Sequence, residues 1–193
     1  RTDSWYKGKM TQRTVPSTSR RPAHRTLTAG SHLVSDIGEV PIPDHQGNRY
    51  FVVFKCMCTQ FRKVYRMRTK DALVHVWKQF IADYGMQEKE GKMVCRIRYL
   101  VTDDDVMYVK GKVAEANKEN LIGKYTLAPY THQANPSENG MRRLMEGAVH
   151  LLHSSGLPPS FLLDALDCHV ESKNRLFTPV CHDPIHQFQT PHQ

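Results

Sequence analysis

The chain has 193 residues, of which 39% are hydrophobic and 24% charged, and it carries a formal net charge of +8 at pH 7. This length suits one globular domain with a tail, or at most two small domains, and is sufficient to bury a substantial core. No run of about 18 or more apolar residues is present, which excludes a membrane span, and no apolar signal-peptide core is found. Because the chain begins at Arg1 rather than Met, we interpret it as a fragment or a piece of a longer polyprotein.

The positive charge is concentrated at the amino-terminal end. Residues 1–30 hold seven basic side chains and one acid, and so account for six of the eight net charges. This segment is rich in Ser, Thr and Pro and lacks apolar periodicity, which predicts a flexible basic linker before a domain that begins near Ser31. Such a segment binds phosphate backbones without reading sequence, although a merely solvated linker is the alternative. Its candidate nucleic-acid contacts are Lys7, Lys9, Arg13, Arg20 and Arg21.

The five cysteines are odd in number and irregularly spaced, which argues against a disulfide framework and predicts a reducing, intracellular location, nuclear or cytoplasmic. Neither Cys56-x-Cys58 nor Cys168-His169 has a convincing zinc spacing. We therefore predict buried thiols at these positions.

Three strands are predicted first. Residues 33–40 form a short apolar run that contains Asp36, and residues 44–48 form a turn cluster. Residues 50–58 are rich in aromatic and β-branched side chains, which is typical of a strand, and residues 63–67 are its predicted hairpin partner.

Alternating helices and strands come next. Thr69 can cap a helix whose apolar residues between 73 and 84 recur at i, i+3, i+4, i+7, i+8 and i+11. Residues 93–101 are predicted as a strand, followed by a weaker helix over 113–120 and a short strand over 124–127.

Two helices complete the domain. The first covers about 136–154, with Pro136 in its first turn, and the second covers about 159–171. The tail after Thr178 is predicted to be loop or disordered. This order of elements predicts an α/β fold with a mixed sheet, in which an antiparallel hairpin lies beside parallel strands.

Three acids are candidates for a metal site. Asp36 lies in an apolar strand, Asp103 follows another, and Glu138 lies in a helical first turn on the side of Met141 and Met145. Converging carboxylates repel one another unless a cation lies among them, and their oxygens suit Mg²⁺ or Mn²⁺. Two such ions can activate a nucleophile and stabilise a leaving oxygen in phosphoryl transfer.

Each acid also has a structural explanation. Glu138 can complement the dipole of its helix, Asp103 can form a turn, and Asp36 can be a hydrogen-bonded polar residue of the core.

Several sequence phrases resemble one family. Residues 47–55 (GNRYFVVFK), with Val64-Tyr65 and Thr69-Lys70 after them, resemble the integrase core of copia-type retrotransposon Pol polyproteins. Residues 128–133 (APYTHQ) with Asn135 and Glu138 are similar to the motif around the catalytic glutamate of that family. Residues 151–159 and Asn174-Arg175 are similar to the segment that the family carries after that glutamate. Residues 6–10 resemble the end of the preceding zinc-binding module.

The resemblance implies a ribonuclease-H-like fold, with a five-stranded mixed sheet flanked by helices. It implies that Asp36, Asp103 and Glu138 are catalytic and bind Mg²⁺ or Mn²⁺, in a two-metal site if the enzyme is active. The implied reaction trims the DNA ends of the element with water and then joins the new 3′-hydroxyl to target DNA. The implied partners are these two DNAs and further copies of the chain, with no membrane association.

The implied organisation has three parts. Residues 1–30 are a remnant of the zinc-binding module and a basic linker, residues 31–178 are the integrase catalytic core, and residues 179–193 are a loop or disordered tail.

Further candidate DNA contacts lie in the predicted core: Lys124, Arg142, Lys173 and Arg175. For each of them, a solvated charge on a helix or loop is the alternative.

The chain departs from the family pattern at motif positions. Asp105 stands where the family has a turn glycine, Asn139 where it has an arginine, and Cys56 and Met57 where it has acids. Two functions therefore stay open: an active polynucleotidyl transferase, or a catalytically inactive, co-opted nucleic-acid-binding relic of the same fold. A metal-dependent nuclease on this fold is a weaker third possibility.

Overall fold

A computed structural model describes residues 28–102, 111–126 and 136–176, together with the pairs 178–179 and 188–189. Its centre is a five-stranded sheet in the order β3-β2-β1-β6-β7. The strands are β1 (His32–Glu39), β2 (Tyr50–Cys56), β3 (Arg62–Met67), β6 (Tyr99–Thr102) and β7 (Gly123–Thr126). β1, β2 and β3 pair antiparallel, whereas β6 pairs parallel with both β1 and β7. The mixed sheet predicted from the sequence is confirmed.

Helices cover both faces of this sheet. They are α1 (Leu73–Phe80), α2 (Lys112–Glu119), α3 (Pro136–Ser155) and α4 (Leu162–Asn174). Four consecutive residues of β2, Phe51 to Phe54, are buried, as expected of a strand with helices on both sides. Phe54 belongs to a core with Trp77 of α1, and Val53 belongs to a second core with Leu144 of α3. The fold therefore has three layers, with α1 and α2 on one face and α3 and α4 on the other.

The predicted helix after Thr69 is helical throughout but not uniform. A 3-10 turn (Lys70–Ala72) precedes α1, and a π-helical turn (Ile81–Gly85) follows it. Thr69 is the N-cap residue of the 3-10 turn, without a side-chain capping hydrogen bond.

The prediction of one continuous strand over residues 93–101 is wrong, because residues 96–98 leave the strand conformation and divide the run between two strands. Residues 92–95 form β5 (Lys92–Cys95), which pairs with β4 (Met86–Lys89) in a separate hairpin. The connecting residues Glu90 and Gly91 both have positive φ, as this two-residue turn requires. The Arg96 N–H then donates to the Gly85 carbonyl, and the chain enters the main sheet only at Tyr99.

The two carboxyl-terminal helices form as predicted, whereas the tail contains strand pairing that was not predicted. α3 extends from Pro136 to Ser155, and a 3-10 turn (Pro159–Phe161) leads into α4. In the predicted loop tail, β8 (Thr178–Pro179) and β9 (Phe188–Gln189) pair as a short antiparallel ladder. The division of the chain at residues 30 and 178 stays a prediction.

A buried amide joins α4 to the sheet. Asn174 is fully buried, its side-chain oxygen accepts the Arg62 N–H at 2.9 Å, and its amide donates to the Arg62 carbonyl at 2.6 Å. Arg62 begins β3, an edge strand, so Asn174 supplies the hydrogen bonds that a neighbouring strand would otherwise provide.

A second polar contact holds the turn between β1 and β2. The buried Asp44 carboxylate accepts hydrogen bonds from the N–H groups of Gln46 and Asn48 at 2.9 and 2.8 Å. Arg66 of β3 lies 3.4 Å from Asp44 and also pairs with Asp164 of α4 at 2.9 Å. Burial alone would raise the pKa of Asp44, but these hydrogen bonds outweigh it and lower the pKa below its usual value.

The described cysteines are all free thiols, and their burial differs along the chain. Cys56 and Cys58 are buried, as predicted, whereas Cys168 is exposed on α4, so the prediction of a buried thiol there is wrong.

In the part of the chain that the structure describes, no helix is both long and apolar enough to cross a bilayer.

Candidate active site

Asp36 lies at the centre of the sheet, on the face that α3 and α4 cover. The strand alternates its side chains, so Leu33 belongs to the α1 core, whereas Asp36 points to the same side as its cross-strand partner Val53. Its side chain is half-buried and lines a cleft between the sheet and α3, which we name the Asp36 cleft. The cleft is lined by Asp36, Lys55 and Arg62 of the sheet and by Gly140, Met141 and Leu144 of α3, among others.

The register of the parallel strands ends directly before two of the predicted acids. The described pairing of β1 with β6 runs from His32 opposite Tyr99 to Ser35 opposite Thr102. Asp36 is the next residue of β1, and Asp103 is the next residue of the chain after β6. Asp103 itself lies outside the described residues, so its role stays a prediction.

Glu138 belongs to the first turn of α3, and its backbone is helical as predicted. The structure describes the backbone but not the side chain at this position. One turn further on, Gly140 and Met141 line the cleft together with Asp36. The amino-terminal part of α3 therefore lies beside Asp36. Among the described side chains, no group of three or more His, Cys, Asp or Glu is placed to hold a metal.

The predicted nucleic-acid contacts are spread over the molecule. Lys7, Lys9, Arg13, Arg20 and Arg21 lie outside the described residues. Lys124 of β7 is opposite Leu100, which belongs to the α1 core, so it lies on the face of the sheet away from Asp36. Arg142 is exposed on α3 and forms an ion pair with Glu146 at 3.8 Å. Lys173 and Arg175 are exposed near the end of α4.

Two cations that were not among the predicted site residues line the cleft with Asp36: Lys55 of β2 and Arg62 of β3. Burial lowers the pKa of Lys55 to about 8, and the positive charges of Arg62 and Arg143 add to the decrease. Burial, with the charge of Arg143, also lowers the pKa of Arg62. The sequence carries one indication of such a cation, because Lys55 stands inside an apolar strand, and residues of a central strand are commonly covered on both faces.

The topology and the central acid define the class of fold. Three antiparallel strands continue into two parallel ones in the order β3-β2-β1-β6-β7, with helices on both faces. This is the ribonuclease-H-like α/β arrangement that the resemblance implied, and it places Asp36 on the central strand.

The comparisons with known proteins agree with this class. The chain is 27% identical over 150 residues to the "Retrovirus-related Pol polyprotein from transposon RE1" of Arabidopsis thaliana, a match that covers 77% of this chain. A chain of the cryoEM structure of the simian T-cell lymphotropic virus intasome, in complex with PP2A regulatory subunit B56 gamma, superposes with a TM-score of 0.60. That match covers 85% of this chain at 14% identity, and so shows the fold alone. No family model matches the chain.

The chain spans 10% of the length of the curated relative and 53% of the length of the intasome chain. The two matches confirm the resemblance to a retrotransposon integrase that the sequence phrases indicated.

Proposed function

We propose that this chain is the catalytic core of a retrotransposon integrase, a polynucleotidyl transferase that trims DNA 3′ ends and joins them to target DNA. One observation supports the proposal above the others. The β1–β6 register ends one residue before Asp36 and Asp103, and the amino-terminal part of α3, which carries Glu138, packs beside Asp36.

The chemistry of these three side chains fits a divalent cation. Carboxylate oxygens are the ligands that Mg²⁺ and Mn²⁺ prefer, and Asp36 offers them on the wall of an open cleft. Asp36, Asp103 and Glu138 would hold the metal. When bound, Mg²⁺ or Mn²⁺ supplies activation of the attacking oxygen and stabilisation of the leaving oxygen.

The chain itself supplies rigid positioning. Asp36 is on a strand that hydrogen-bonds to β2 on one side and to β6 on the other. Asp36 itself pairs with Val53 of β2, and the preceding residue, Ser35, is the last to pair with β6. Leu144 and Ala148 of α3 are buried in the core beneath the same face, which fixes the helix that carries Glu138. Positioning of this kind allows an in-line attack by water or by a 3′-hydroxyl without a covalent enzyme intermediate.

The proposed partners are the DNA ends of the element, the target DNA and further copies of this chain. The basic segment, residues 1–30, would bind phosphate backbones without sequence preference. This predicts that DNA binding weakens steeply as salt is raised.

A second candidate is a DNA-binding relic that has lost turnover. It is favoured by Cys56, which stands where the family has an acid and is 3% exposed, with its sulfur accepting the Gly30 N–H at 3.3 Å. A position that carries charge in the family is thus part of the hydrophobic core in this chain.

A disintegration assay separates the two candidates. A branched DNA substrate is incubated with Mn²⁺ and the wild-type chain, Asp103→Asn, Glu138→Gln or the control Glu146→Gln. Glu146 lies on the same helix as Glu138 but is exposed and paired with Arg142. The transferase predicts joined product from the wild type and from Glu146→Gln only. Folded, DNA-bound wild type that yields no product supports the relic.

A further inference from the structure

A second cavity lies on the face of the sheet opposite the Asp36 cleft. Leu33 of β1 and Phe80 of α1 line it, and both belong to the α1 core, whereas Asp36 points to the face that α3 covers. The cavity has a volume of about 140 Å³ and is open to solvent on one side. A cavity of roughly 150 Å³ with apolar walls is large enough to hold benzene. This cavity therefore has room for one six-membered ring, and we name it the Arg96 cavity after the arginine in its wall.

The walls of the Arg96 cavity are mostly aromatic and aliphatic. The ring centroids of Phe61 and Tyr84 are 5.2 Å apart and those of Tyr84 and Phe80 are 5.4 Å apart, so the three rings form one continuous side. Leu33 and Ile97 line the cavity as well, and both are buried. Aromatic rings pack favourably on other rings at centroid distances of about 4.5–7 Å. These walls therefore suit a ligand that is itself a planar ring.

One cation stands in this wall, and backbone groups fix its position. The Arg96 Nε donates to the Tyr84 carbonyl at 2.7 Å, and the Arg96 backbone N–H donates to the Gly85 carbonyl at 2.8 Å. The side chain also packs against Gly30, where a Cβ would lie 2.7 Å from the Arg96 Nε. Gly30 has a φ of +76°, so both its backbone conformation and the close approach of Arg96 favour glycine.

The charge of Arg96 is not neutralised within the described part of the chain. None of the ion pairs between described residues includes Arg96. Because its hydrogen bond to Tyr84 uses only Nε, the terminal NH₂ groups of the guanidinium are left as donors. A guanidinium matches the two oxygens of a carboxylate, with which it forms short, charge-assisted hydrogen bonds.

We propose that the Arg96 cavity binds a small aromatic carboxylate, with its ring against Phe61 and Tyr84 and its carboxylate on Arg96. A largely apolar lining with one fixed polar group that orients the ligand is typical of small-molecule sites. The proposal does not depend on the transferase function. The cavity lies across the sheet from Asp36, and none of the three predicted acids lines it.

The first test uses benzoate as the probe and follows its binding by NMR of the methyl groups of Leu and Ile. Benzoate is expected to shift the methyl signals of Leu33 and Ile97, which line the Arg96 cavity. The methyl signals of Leu144, which lines the Asp36 cleft, should not move. Benzamide has the same shape without the charge, and should bind about tenfold more weakly, because the charge-assisted hydrogen bond is lost.

The second test assigns this difference to Arg96. Arg96→Gln removes the charge and keeps an amide that can donate to the Tyr84 carbonyl. The substitution is expected to weaken benzoate binding by about tenfold and to leave benzamide binding unchanged. The control Arg98→Gln removes an exposed arginine two residues further along that does not line the cavity, and should bind both probes like the wild type.

Benzoate that shifts neither Leu33 nor Ile97 would overturn the proposal, and so would shifts at Leu144 of the same size, because binding would then not be specific to this cavity. Equal affinities of the wild type for benzoate and benzamide would also overturn it, since Arg96 would then have no part in binding. This comparison needs only the wild type, so it decides the question even if Arg96→Gln does not fold.

Discussion

Removal of the Asn174 side chain tests how the edge of the sheet is held. In Asn174→Ala the Arg62 N–H and carbonyl lose the partners that they have at 2.9 and 2.6 Å. A buried backbone group without a partner costs about 1–3 kcal/mol, so loss of both partners is expected to lower the free energy of unfolding by roughly 2–6 kcal/mol. Urea unfolding followed by Trp fluorescence and circular dichroism measures this loss.

Ser172→Ala is the matched control on the same helix. Its hydroxyl donates to the Cys168 carbonyl at 2.9 Å and is exposed, so the substitution should change stability by less than about 0.5 kcal/mol. An Asn174→Ala variant as stable as Ser172→Ala would refute the reasoning, because water would then satisfy both Arg62 groups.

Other predictions concern packing, a buried hydrogen bond and pH. Gly38→Ala should lower the free energy of unfolding by about 1–3 kcal/mol, because a Cβ there would lie 2.2 Å from the buried ring of Phe51; chemical denaturation measures it. Trp77→Phe should cost about 1–3 kcal/mol in the same experiment, because the indole N–H donates to the buried Asn117 oxygen at 2.8 Å. The pKa of Asp44 is lower in the folded state than in the unfolded state, so the ionised carboxylate stabilises the fold. This stabilisation is fully present above the unfolded pKa of about 3.9. It is lost as the pH falls through the folded pKa. The stability advantage of the wild type over Asp44→Asn should therefore shrink below about pH 4, and a constant advantage would contradict this.

The sequence predicted the main sheet well because its strands carry strong local signals. Residues 50–56 combine aromatic and β-branched side chains after a turn cluster, and only one arrangement buries them on both faces. The prediction failed over residues 93–101 because apolar residues lie on both sides of Arg96 and Arg98, which alternate with Ile97 as they would in one half-buried strand. A hydrogen bond from Arg96 to Gly85 divides that run, and no periodicity reports such a contact.

The candidate site was predicted in part. The position of Asp36 on a buried strand follows from its apolar neighbours, and the helical first turn at Glu138 follows from Pro136 and the spacing after it. The places of Lys55 and Arg62 at the cleft do not follow from the apolar strand around Lys55, because a lysine in a strand is ordinarily an outward-facing residue. Only the pairing of β2 with both β1 and β3 places Lys55 under α3. Likewise, Asn174 reaches Arg62 across 112 positions of sequence.

If Asp36, Asp103 and Glu138 converge on one metal site, the chain binds Mn²⁺ through all three carboxylates, and a titration with Mn²⁺ reports this without any DNA. Electron paramagnetic resonance of free Mn²⁺ is recorded as each protein is titrated: wild type, Asp36→Asn, Asp103→Asn, Glu138→Gln and the control Glu115→Gln, which is exposed on α2 across the sheet. Each of the three site variants is expected to bind Mn²⁺ much more weakly than the wild type, while Glu115→Gln should bind it like the wild type. A site variant whose Mn²⁺ affinity equals that of the wild type would contradict a shared site.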